Sequence, residues 1–322
     1  MRIIEKLRKE YQSYEKWYYH LTLDSLGERN LLNNQSQCVN AMNTIAIGQF
    51  LYGIGVVQFD WMRNHGHLIL YATGFQCCQL FGFIRFRANL WLAKDGFPPL
   101  PKDWFMKLGR LGSPQELVNA VTYSARNSYD ARSDILPGGY LWSSNYLIFS
   151  DIGRLFEYRL ISDLGPTESR RLLMSRVSLP GEYKVCKLGY VLPESYLLRT
   201  TDQSLTKAQS LYLDSKDYTY KLFRDYNTYK KVAAEAGEIW SPSGKDIDNL
   251  IDSILTFGFG VNSIRELSMD RRCDLAAQLT SSYGIKAETV AEKLNLSRSA
   301  VNKMSYSYSK NRQELNPALG ST

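Results

Sequence analysis

His65 and His67 are two of only three histidines in a chain of 322 residues, and they stand one residue apart in WMRNHGHLIL (residues 61–70). On a β-strand, residues i and i+2 leave the same face, so this spacing presents two imidazoles side by side. Such a pair can share a divalent ion if a third protein ligand or several waters complete the set, and by itself it does not select the metal. The plainer alternative is two partly buried histidines satisfied by neighbouring hydrogen bonds.

The elements that must position the pair can be read outward from it. VVQFDWM and HLILYATG are strand-like runs joined by a short turn around Arg63 and Asn64, which is a β-hairpin signal. Earlier, WYYHLTLDSL alternates as a strand does, with Tyr18, His20 and Thr22 on one face, and NNQSQCVNAMNTIAIGQFLYG follows as a helix. After the hairpin, residues 77–93 are helical, apolar and punctuated by Arg85 and Arg87, and DGFPPLPKDW is a proline-rich loop. SPQELVNAVTYSARNSYDA then starts with Ser113 as N-cap, Pro114 in the first turn and Glu116 three residues after the cap, a capping box ahead of a periodic helix.

Strand, helix, hairpin, helix, loop, helix makes an α+β domain with an antiparallel sheet, ending near residue 160. Residues 161–202 read as a connecting segment with a basic start and proline breaks. Residues 203–261 form a helical region rich in Tyr and Lys, and residues 262–322 a second helical region.

Composition narrows the function classes. Thirty-nine Lys and Arg against 32 Asp and Glu give a net charge of +7, which favours phosphate-rich partners without proving one. Tyr218, Tyr220, Tyr226 and Tyr229 lie among lysines and arginines, a pattern that suits either base stacking or an ordinary core. Five cysteines without C-x-x-C spacing argue against a disulfide framework or a zinc ribbon. With no long apolar run, no membrane partner is expected and the location is read as cytoplasmic.

Near the C-terminus, KAETVAEKLNLSRSAVNKM has helix-turn-helix spacing. Ala291 is the small residue where two helices cross, and Val290, Leu294, Leu296, Val301 and Met304 form the inward set. Asn295 suits the left-handed turn and Ser297 caps the second helix. Arg298, Ser299, Asn302 and Lys303 would lie on the outer face of that helix, the surface such proteins set into the major groove of DNA; a helical bundle for protein contacts is the alternative.

Three ordered segments give the histidine pair a context. WMRNHGHLIL resembles the histidine motif of HUH single-tyrosine transposases, especially the REP-associated tyrosine transposases. AVTYSARNSYDA is similar to that family's tyrosine helix, and GGYLWSSNY to the tryptophan-serine-serine segment that closes the domain. YYHLTL is similar to the family's first strand, and the resemblance covers roughly residues 15–150.

The resemblance implies an HUH/RRM-like nuclease domain followed by an all-α region with a helix-turn-helix. It implies Tyr123 as nucleophile and His65, His67 and Asn127 around a divalent metal, Mg²⁺ or Mn²⁺. The implied substrate is hairpin-bearing single-stranded DNA held through a 5′-phosphotyrosine, by a monomer or homodimer. Arg85 and Arg87, with Lys102, Arg170 and Arg171, are candidates for backbone contacts, and Tyr129, six residues past Tyr123, for packing. Three departures stand out: Arg63 replaces a proline, Gly66 replaces a bulky residue between the histidines, and Ser128 replaces the proline after Asn127. Gly66 and Ser128 keep a second reading in play, a domesticated DNA-binding regulator with a silent nuclease core.

Overall fold

Four segments pair into one antiparallel sheet because each offers an apolar face and strand-forming residues: β1 (Trp17–Leu23), β2 (Gly55–Trp61), β3 (Gly66–Ala72) and β4 (Met106–Arg110). Their spatial order is β2-β3-β1-β4. The computed structural model describes residues 14–304 except 28, 132–135, 151, 225, 239–243 and 282–284. The charged start of the chain, most of the WSPSGKD turn and the tail after residue 304 lie outside those residues.

The register sorts the two faces. Leu23 opposes Gly66, Leu21 opposes Leu68, and Phe59 also opposes Leu68, so these side chains share one face with Leu70 and Trp61. That face is buried against α1 (Gln35–Tyr52) and α2 (Gly74–Lys94), where Ile45, Phe81, Ile84 and Trp91 complete a core with almost no exposed surface. Each fully buried Leu or Phe there contributes on the order of 1.5–3 kcal/mol by leaving water. Both helices start on side-chain caps: Asn34 accepts from the Gln37 N–H at 2.9 Å, and Thr73 and Gln76 form a reciprocal capping box.

The opposite face carries Tyr18, His20 and Thr22 on β1, Asp60 on β2, and His67 and Ile69 on β3. Over it lies α3 (Pro114–Ala131), whose Leu117, Val121 and Ala125 pack on Val57 and Ile69. Ser113 caps α3 as its sequence predicts, accepting from the Glu116 N–H at 3.2 Å. The Glu116 carboxylate reaches one residue further back than a capping box requires, to the Gly112 N–H at 2.7 Å.

β4 is an element the sequence pattern did not announce. It is an edge strand of five residues, MKLGR, with only Met106 buried, so it lacks the alternation that marks a strand with one covered face. At the other edge, residues 140–145 run beside β2. Trp61 donates to the Trp142 carbonyl at 3.0 Å, Phe59 to Ser144 Oγ at 2.9 Å, and Gln58 to Asn145 Oδ1 at 2.7 Å. The tryptophan-serine-serine segment therefore closes this side of the sheet.

Residues 161–202 are more than a connector. They include α4 (Pro166–Leu173) and β6 (Lys184–Cys186), which pairs with β5 (Tyr158–Leu160). Leu173, Val185, Tyr190, Val191 and Tyr196 belong to the core beneath α1 and α2. The expected boundary near 160 is thus displaced: one compact unit comprises residues 1–224 with 232–238, and a second comprises 225–231 with 239–322. A proline-punctuated stretch reads as a linker, but here its prolines start short helical turns between buried aromatic residues.

Two helices follow, α5 (Ser215–Arg224) and α6 (Tyr226–Ala236). Tyr218 and Tyr229 are buried, Tyr218 against Tyr212 and Phe149, which places them in cores and away from base stacking. The second unit contains α7 (Gly244–Ser253), α8 (Met269–Ser281), α9 (Ala287–Leu294) and a helix over 298–304. Asn295 has φ 53° and ψ 51°, the left-handed turn its position predicts, and Ser297 Oγ accepts from the Ala300 N–H at 3.2 Å. Val290, Leu294 and Val301 are buried, while Arg298, Ser299, Asn302 and Lys303 are exposed, Arg298 paired with Glu288. Among the described residues no helix is long and apolar enough to cross a membrane.

Candidate active site

The β2–β3 turn sets the first imidazole. Met62 donates to the His65 carbonyl at 3.0 Å, and the Arg63 carbonyl accepts from Leu31 and Leu32 at 2.7 and 2.9 Å, which fixes the turn without the proline expected at 63. Asn64 Oδ1 lies 2.7 Å from His65 Nδ1. The Asn64 amide nitrogen is itself held by Ser25 Oγ and the Gly27 carbonyl. Nδ1 of His65 therefore carries the proton, and its Nε2, buried and without a hydrogen-bond partner, points its lone pair into the site.

Gly66 follows, and its lack of a side chain has a visible cause. A Cβ there would come within 2.9 Å of Trp61 Cε3, so the Trp61 indole fills the space that a bulky residue would take. The strand remains fully paired on both sides through this position.

His67 is fully buried between Thr22 on β1 and Asp60 on β2. Its Nδ1 is 3.1 Å from His20 Nε2 and 3.5 Å from Thr22 Oγ1, and its Nε2 is 2.6 Å from Asn127 Nδ2. Tyr123 and Asn127 leave the same face of α3 four residues apart. The Tyr123 ring centre is 5.6 Å from that of His67 and 6.3 Å from that of His20. Ser128 does not disturb this: α3 runs on to Ala131 with Ser128 buried inside it.

Glu238 completes the cluster. The Tyr123 hydroxyl donates to its Oε2, while its Oε1 lies 3.4 Å from His67 Nε2 and 3.6 Å from His65 Nε2. The ligand atoms of His65, His67 and Glu238 all fall within 4.8 Å of one another. Gly237, at φ 77°, delivers the carboxylate, and the Lys107 side chain of β4 occupies the place where a Cβ of Gly237 would sit.

The electrostatics suit a cation. Burial pushes His20 and His65 down to about 4, and burial together with its two histidine neighbours pushes His67 well below its ordinary value. All three are therefore neutral near pH 7, the state in which imidazole is a ligand. Burial raises the Glu238 carboxyl above its usual range, and the Tyr123 hydroxyl and Lys107 each pull it back down. Two neutral imidazoles, one of them with an orphaned buried nitrogen, and one carboxylate fit a divalent ion.

The structure thus brings together His65, His67, Tyr123 and Asn127, drawn from positions up to 62 residues apart. Glu238 was missed because a single glutamate after a Tyr- and Lys-rich helix carries no signal of its own. His20 was visible only as a residue on the right face of β1.

Two of the arginines read as DNA contacts, Arg85 and Arg87, are instead engaged within the fold. Arg87 is 4% exposed and donates to Thr44 Oγ1 and to the Leu173 and Met174 carbonyls, so it caps the end of α4 from inside the core. Arg85 is partly buried and donates to the carbonyls of Pro101, Lys102 and Trp104, pinning the proline-rich loop. Tyr129 packs edge-on against Phe223, the packing role its position implied. No protein-family model, no curated protein and no solved structure matches this chain.

Proposed function

We propose that this protein is a metal-dependent single-stranded DNA nicking and joining enzyme of the transposase kind, with Tyr123 as its nucleophile. The observation that carries the reading is the Tyr123 hydroxyl beside Glu238, whose other oxygen faces both histidines. A nucleophile able to hold DNA covalently thus borders a donor set able to hold an ion.

His65, His67 and Glu238 would hold the ion, and Asn127 borders it through His67. A divalent cation, Mg²⁺ or Mn²⁺, would supply Lewis-acid polarisation of the scissile phosphate. Asn64 and His20 hold the two imidazoles in one orientation and tautomer, so little reorganisation is needed when the charge arrives. Tyr123 Oη attacks phosphorus as its proton passes to Glu238 Oε2, the bond to the 3′-oxygen breaks, and that oxygen takes up the proton in turn. The products are a 5′-phosphotyrosine and a free 3′-hydroxyl. The phosphodiester energy stays in the covalent link, so the reverse step can join a different end.

The exposed outer face of residues 298–304, with Arg298, Asn302 and Lys303, supports duplex DNA as a second contact for the C-terminal unit. Incubating the full chain with labelled hairpin-bearing single-stranded DNA and Mn²⁺ tests the reading. A covalent adduct that disappears in Tyr123→Phe supports it. An adduct that survives that change removes Tyr123, and duplex binding with no cleavage under any metal favours a silent DNA-binding regulator instead.

A further inference from the structure

A cavity of about 450 Å³ opens on the same sheet face as the histidines, two rungs along β1, between the start of that strand and the first turn of α3. Its wall is aromatic: Trp17, Tyr18 and Tyr71 line it, and the Tyr18 and Tyr71 rings lie 5.0 Å apart, tilted by 42°. Trp17 is fixed by a 2.7 Å bond from its indole N–H to the Leu111 carbonyl, with the Arg110 guanidinium 4.2 Å from its ring centre. Lys207 reaches over the mouth, 5.8 Å from the Tyr18 ring.

β4 runs alongside β1 from the level of this cavity to the level of the histidines. On the face shared with Tyr18, His20 and Thr22, β4 presents Gly109 and Lys107, and Leu111 follows just past its end. Gly109 stands opposite His20, and a Cβ added there would meet nothing closer than the His20 carbonyl oxygen at 4.0 Å. At the rung of His20, β4 therefore carries no side chain on that face. Counted along α3, the six residues from Leu117 at the cavity to Tyr123 rise about 9 Å.

We propose that the Trp17–Tyr18–Tyr71 cavity binds one unpaired nucleobase of the DNA strand whose scissile phosphate meets Tyr123. This rests on the nicking reading above and adds where a neighbouring nucleotide is held. Aromatic faces stack any base, Lys207 matches an adjoining phosphate, and Gly109 puts no side chain in the way of the backbone. At the N-terminus of α3, Ser113 takes up the Glu116 N–H through its hydroxyl and the Leu117 N–H through its carbonyl.

The test uses the full chain in EDTA with an oligothymidylate carrying one 5-iododeoxyuridine. Irradiation should cross-link the base to peptides containing Trp17, Tyr18 or Tyr71. Tyr18→Ala, and separately Gly109→Leu, should weaken oligothymidylate binding roughly tenfold at unchanged melting temperature. Should Tyr18→Ala fail to fold, Gly109→Leu and Lys207→Ala carry the test, since neither removes a core side chain. Cross-links confined to other peptides, foldable variants that bind like the parent, or no binding of oligothymidylate would each overturn the proposal. If a Tyr123 adduct forms while cross-links avoid the cavity, only the base site fails. If the cavity cross-links but no metal yields an adduct, the nicking reading fails and single-strand binding stands.

Discussion

Asn127 and His67, 60 residues apart, meet through a 2.6 Å contact between the amide nitrogen and Nε2. With Nε2 accepting, the His67 proton sits on Nδ1 and donates to His20 Nε2 at 3.1 Å. One short polar chain thus links α3, β3 and β1 beneath the site. The Asn127 amide is nearly symmetrical in shape, so a half-turn about its last bond presents an oxygen where the nitrogen now lies. The same side chain can hold His67 in the metal-free protein and face a cation in the loaded one.

Glu238→Gln is expected to weaken Mn²⁺ binding by at least about tenfold, because a ligand charge is lost while shape is kept. Titration calorimetry on the full chain reads this directly. An unchanged affinity would remove Glu238 from the ligand set and leave it as a partner of Tyr123 alone.

Gly66→Ala is expected to destabilise the fold by about 1–3 kcal/mol, the usual cost of overpacking, since the added methyl meets the buried Trp61 ring. Urea unfolding checks it. The companion change Trp61→Leu in the same chain should recover part of the loss, and no recovery would show that the methyl is not meeting the indole.

Acid should weaken the metal-free protein through its histidines. In the folded state His20 and His65 are lowered to about 4, whereas an unfolded histidine titrates near 6.5. Their contribution is complete above about pH 6.5 and is lost as pH falls towards 4, because only the unfolded chain takes up protons in that window. His20→Gln should flatten the fall in urea midpoint between pH 7 and 5, and a slope as steep as the parent's would count against this origin.

Asp60 has the opposite sign. Burial pushes its carboxyl well above the ordinary carboxylate range, despite the Ser128 backbone and Asn145 side chain pulling it down. Its raised value means that stability is present at low pH and is lost as pH rises from about 4, where the unfolded chain ionises first. Asp60→Asn should gain on the parent in melting temperature from pH 4 to pH 8, and a constant gap would refute the assignment.

The parts of the site written in local spacing were legible in the sequence. His65 and His67 follow from the two-residue period of a strand, Tyr123 and Asn127 from the four-residue step of a helix, and Asn295 and Ser297 from turn and cap chemistry. What escaped was set by tertiary contact. Arg87 looks like any surface arginine until the carbonyls at the end of α4 arrive to receive it. β4 has too little apolar alternation to mark a strand, and it forms because β1 offers it an unpaired edge. Glu238 is brought in by a turn whose conformation depends on Gly237.

The core contributed by residues 161–202 also bears on how this protein could be dissected. Tyr190 packs on Trp142 and Phe156 and Tyr196 on Phe59, Val191 is buried in the same core, and the Asn43 side chain of α1 bridges to the backbone of Gly189 and Val191. A fragment stopped at the apparent end of the chemistry would strip an oily surface and lose a carboxylate together. The histidines and the tyrosine lie before residue 130, yet the shortest chain that keeps their surroundings whole extends to residue 238.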